Sequence, residues 1–103
     1  MEKFGMRVVL LAALLSAASA AAQDPVERGK TLFNSTRLGT NGKSCATCHA
    51  EGSKLKETAS YDDGELVKVI NHCIKEALAG KAPSAYSADM KALVAYIRAV
   101  AKP

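Results

Sequence analysis

Cys45-Ala46-Thr47-Cys48-His49 is the stretch that most limits what this protein can become. It sets two thiols and an imidazole almost side by side in a sequence of only 103 residues. That length predicts a single domain. A domain so small buries a modest core and is marginal without a disulfide, a metal or a cofactor to hold it. The question is which of these the motif supplies.

Residues 1–22 read as a leader rather than as part of the domain. Lys3 and Arg7 give a positive start, Val8 to Leu15 is an unbroken apolar run, and Ala20, Ala21 and Ala22 close it with small side chains. That order describes a secretory signal peptide with an A-x-A cleavage site. The apolar run is far short of the roughly 20 residues that span a bilayer, so no stable membrane anchor is expected. Cleavage after Ala22 leaves Gln23 to Pro103, with a cut after Ala20 as the alternative. The mature domain is then 23–103, in the periplasm or secreted. It keeps 12 basic and 9 acidic residues, a net charge of +3 once Glu2, Lys3 and Arg7 are gone. The lysines are scattered, and no patch of the kind that binds nucleic acid is present.

For an exported protein, the C-x-x-C-H pattern is the signature of covalent haem attachment. Thiols three positions apart reach the two vinyl groups on one edge of a haem, and the histidine that follows falls beneath the iron and binds it through a ring nitrogen. Cys45 and Cys48 are therefore the candidate thioether residues, His49 the proximal iron ligand, and a single haem c the expected cofactor. Other uses of the pair fit less well. A thioredoxin-like site belongs beside a βαβ pattern, and no strand is evident. A simple disulfide is a further alternative. A zinc site would need His72 and Cys73 to point the same way, although neighbours on a helix diverge by roughly 100°.

Hydropathy patterning predicts an all-α domain of about three main helices around the haem. Asp24 and Pro25 open the first, with Val26, Gly29, Leu32 and Phe33 on one face. Asn34 to Ser44 and Ala50 to Tyr61 read as loops. Asp62 or Asp63 caps the second helix, which runs to about Ala79, with Gly80 as its stop. Leu66, Ile70, Cys73, Ile74 and Ala77 share its apolar face, and Lys68, His72, Lys75 and Glu76 lie opposite. Ser87 caps the last helix, whose apolar stripe is Met90, Leu93, Val94, Ile97 and Val100.

Taken together, Arg28-Gly29-Lys30-Thr31-Leu32-Phe33, the haem motif and Leu93-Val94-Ala95-Tyr96-Ile97 resemble a class I cytochrome c domain. The resemblance implies a small cytochrome c fold whose first and last helices cross, with Gly29 and Phe33 against Leu93, Tyr96 and Ile97. That family takes a methionine ligand from the loop before the last helix, and here Gly80 to Tyr86 contains none. Cys73 is on an apolar face and could point at the iron. The stretch Ile70-Asn71-His72-Cys73-Ile74, with Leu78-Ala79-Gly80-Lys81 and Ser87-Ala88-Asp89-Met90-Lys91-Ala92-Leu93, is similar to haem domains of thiosulfate dehydrogenases, and that similarity implies a cysteine ligand at Cys73. Met90, the one methionine of the mature domain, is the route to a thioether ligand. His72 is a ligand type on a charged face, and an open sixth position stays an alternative.

Electron transfer with redox partner proteins is the leading expectation, and no side chain is required to act as acid, base or nucleophile. Oxidation of a small sulfur anion such as thiosulfate, as an enzyme or as its haem subunit, is the second. Gas binding at an open iron is the third.

Overall fold

Pro25 begins helix α1 (Pro25–Phe33), where its fixed φ and missing N–H cost nothing. The computed structural model describes residues 24–101; the predicted leader, 1–22, lies outside them. Asp24 occupies the N-cap position as expected, but its side chain makes no capping hydrogen bond. The next helix, α2 (Cys45–Cys48), is a single turn formed by the motif itself. It is followed by α3 (Asp63–Glu76) and α4 (Ala88–Val100). Three short 3-10 turns, Thr36–Leu38, Ala50–Gly52 and Lys56–Ser60, lie in the segments read as loops. Among the described residues there is no strand, and the fold is the expected all-α one.

The helices α1 and α4 cross at Gly29. A Cβ on Gly29 would overlap the Ala92 carbonyl oxygen and stand 2.7 Å from Tyr96 Cβ. Glycine is required because the two backbones touch. One turn on, Phe33 meets Tyr96 edge to face, with ring centroids 5.1 Å apart. The implied crossing is present, and Ala92 joins Tyr96 in contact with the glycine. Arg28 clamps the same junction through its pair with Asp89 at 2.5 Å. Leu66, Ile70 and Ile74 of α3 and Met90, Leu93 and Ile97 of α4 complete the core. Periodicity missed Ala92 and Tyr96, which α4 also buries.

Two N-caps form as predicted. Asp62 Oδ1 accepts from the Glu65 N–H at 2.8 Å, and Ser87 Oγ accepts from the Met90 N–H at 3.1 Å. The end of α3 differs. The helix stops at Glu76, and the left-handed residue beyond it is Ala79 (φ 52°), not Gly80. Gly80 is needed for a close approach: a Cβ there would overlap the Leu38 carbonyl oxygen and lie 2.7 Å from Gly39 Cα. The loop after Leu38 is laid against the segment after α3. Thr40 donates from its N–H to the Leu78 carbonyl and from its hydroxyl to that of Ala79, and Asn41 Nδ2 donates to the Ala77 carbonyl. These bonds satisfy carbonyls that the helix end leaves free.

Candidate functional site

The single turn α2 brings Cys45 and Cys48 onto one side, because residues three apart on a helix are neighbours. Its start is fixed by the Ser44 N–H, which donates to Thr47 Oγ1 at 2.9 Å. His49 ends it, donating from its own N–H to the Cys45 carbonyl at 3.0 Å. The His49 ring is oriented by the backbone just ahead: Nδ1 lies 2.9 Å from the Ser53 carbonyl oxygen. A carbonyl can only accept, so Nδ1 carries the proton and Nε2 keeps its lone pair for a metal.

Cys45, Cys48 and His49 line a cleft of about 390 Å³. Phe33, Leu55, Leu66, Ile70, Leu78 and Ile97 make its walls apolar, and Asn41, Lys43 and Glu76 mark its polar edge. Cys73 enters the same cleft from α3. Met90 does not line it. With no exposed surface, Met90 borders a separate groove on another face of α3, beside Val67, Asn71 and Val94. His72 is exposed to solvent and lines neither, so the four-ligand zinc arrangement is not formed.

The electrostatics follow from the apolar walls. Burial pushes the Cys45 thiol up to about 11, with the neighbouring Cys73 adding to the effect. Burial also raises Cys73, with Cys48 contributing. Both shifts favour the neutral thiol, and a bound metal cation would act in the opposite direction on Cys73. Thiols and an imidazole on the walls of an apolar cleft are the donors a covalently held haem needs, and the residues present fit that group.

A family model described as SoxA/TsdA, cytochrome c domain, matches residues 28–102. The chain belongs to this family. No curated protein and no solved structure matches it. As a SoxA/TsdA-type cytochrome c domain it carries covalently bound haem c and serves haem electron transfer.

Within this SoxA/TsdA-type domain, several cleft residues escaped sequence reasoning. Leu55 and Thr58 come from a segment read only as loop, yet both line the cleft. Thr58 is buried, with its hydroxyl donating to the Leu55 carbonyl at 2.6 Å. Ser53 acts through a backbone carbonyl, which every residue type possesses, so its side chain leaves no signal.

Proposed function

We propose that the mature protein, 23–103, is an exported cytochrome with one haem c that passes single electrons between redox partner proteins outside the cytoplasm. When bound, the haem supplies a ferric/ferrous couple. Cys45 and Cys48 hold it by thioether bonds, and His49 Nε2 is the proximal ligand, kept in one tautomer by Ser53. Cys73 is the distal ligand. The observation that carries this assignment is that Cys73 lines the cleft of Cys45, Cys48 and His49 while Met90 lines another groove. A thiolate there stabilises the ferric state and lowers the potential. The apolar walls would surround a bound haem with a low-dielectric lining, and partners would meet its open edge through a small, weak surface, as redox encounters do.

A role in sulfur-compound oxidation is the second reading. The family match and the similarity of the Cys73 region to thiosulfate dehydrogenase haem domains favour it. In this reading the protein is a haem subunit that receives electrons from the oxidation of a small sulfur anion. Reduction of the purified haem by thiosulfate is its mark.

Low-temperature electron paramagnetic resonance of the oxidised protein, wild type beside Cys73→Ser, tests the ligand assignment. A low-spin thiolate-type signal that the substitution abolishes is expected, and identical spectra would refute it. A purified protein that starts at Gln23 is the expected sign of export.

A further inference from the structure

The turn that follows the motif is built from unusual backbone. Glu51, Gly52 and Lys54 all have positive φ, at 55°, 82° and 67°. Non-glycine residues rarely accept this region, so two of the three hold it only because their surroundings compel it. Two hydrogen bonds close the turn: the Gly52 N–H donates to the His49 carbonyl at 2.9 Å, and the Ser53 N–H to that of Ala50 at 3.1 Å. The outer side of the turn is fixed by α4. Gly52 is buried, and a Cβ on it would overlap Val100 Cγ2 and lie 2.7 Å from Val100 Cβ.

From this geometry we infer that Val100, pressing on Gly52, is a positioning residue for the His49 imidazole. Gly52 immediately precedes Ser53, whose carbonyl oxygen receives the His49 Nδ1–H. Displacing Gly52 therefore displaces the acceptor. A stronger bond at Nδ1 gives the imidazole more anionic character and makes it a better donor to the metal. A weaker bond makes it a poorer donor and favours the ferrous state. Val100 thus sets how strongly His49 binds, although it does not line the cleft. This inference rests on His49 being a haem ligand.

Four holoproteins test it: wild type, Gly52→Ala, Val100→Ala, and Gly52→Ala combined with Val100→Gly, with covalent haem content, midpoint potential and low-spin g values measured on each. The Gly52→Ala protein is expected to show a higher potential and displaced g values. The double variant removes both Val100 atoms that the new methyl would meet, and it is expected to recover part of both shifts, the remainder being the strain of alanine at φ 82°. Val100→Ala alone relaxes the contact and is expected to raise the potential by less. A Gly52→Ala protein with wild-type potential and g values overturns the inference, and so does a Val100→Ala protein whose potential is unchanged. If Gly52→Ala takes up no haem, Val100→Ala decides: a raised potential supports the contact and an unchanged one refutes it. A wild-type protein without covalent haem would instead defeat the haem assignment itself.

Discussion

Gly29 lies so close to the carbonyl oxygen of Ala92 that a Cβ at that position would overlap it. Gly29→Ala thus sets two effects against each other. Alanine favours the helix by about 1 kcal/mol. Overfilling a packed contact costs roughly 1–3 kcal/mol, and here the obstacle is backbone, which yields less readily than a side chain. The clash wins, and a net loss of about 1–2 kcal/mol is expected in urea unfolding of the holoprotein. Unchanged stability would show that α1 and α4 part more easily than this crossing implies.

Met90 separates a packing role from a ligand role. It is wholly buried on α4 and borders a groove away from the thiols. Met90→Leu nearly conserves volume and is expected to leave the oxidised and reduced absorption spectra unchanged, at a cost under about 1.5 kcal/mol. Met90→Ala leaves a hole and is expected to cost about 2–5 kcal/mol. A change of spin state or of band positions in Met90→Leu would assign the iron ligand to Met90.

Under the proposed attachment, Cys45 and Cys48 make separable contributions. Cys45→Ser and Cys48→Ser are each expected to retain haem through the remaining thioether, with the α band of the alkaline pyridine derivative moved to longer wavelength by the restored vinyl group. The double substitution is expected to release all haem into acidified organic solvent. Haem that stays bound in the double variant would exclude thioether attachment at these positions.

Asp62 gives a pH dependence of known sign. Its carboxyl is held below the ordinary 3.8, chiefly by the hydrogen bond from the Glu65 N–H. A carboxyl lowered in the folded state adds stability that is present above its unfolded value and fades as pH falls through the folded one. The gap in melting temperature between wild type and Asp62→Ala is thus expected to be full above about pH 5 and to narrow as the pH falls below about 4. Asp62→Asn keeps an acceptor without a charge, so its cap is expected to be independent of pH in that range. A gap that stays constant down to about pH 2 would mean that the carboxylate is not what caps α3.

The three main helices were legible because their signals are local. Asp62 and Ser87 cap where their side chains reach the nearest free N–H groups, and apolar spacing marks the buried faces of α3 and α4. The one-turn helix α2 was not legible, since its own positions carry no apolar period. Gly80 misled for a different reason. A glycine after a helix reads as a left-handed stop, and only the neighbouring Leu38 and Gly39 reveal that it serves a close approach of two backbones.

The sequence by itself located the candidate chemistry at the centre. Cys45, Cys48 and His49 point to the proposed thioether attachment and imidazole ligation, because covalent geometry fixes the spacing of residues so near in sequence. Tertiary structure alone decided the partition of Cys73 and Met90. Both fall on apolar helix faces, and periodicity reports burial without saying against what. The packing of α3 between the cleft and the second groove turns Cys73 towards the thiols of α2 and leaves Met90 on the other side. Ser53 is the same lesson at the proximal side: a backbone carbonyl becomes specific only when the fold brings it to Nδ1 of His49.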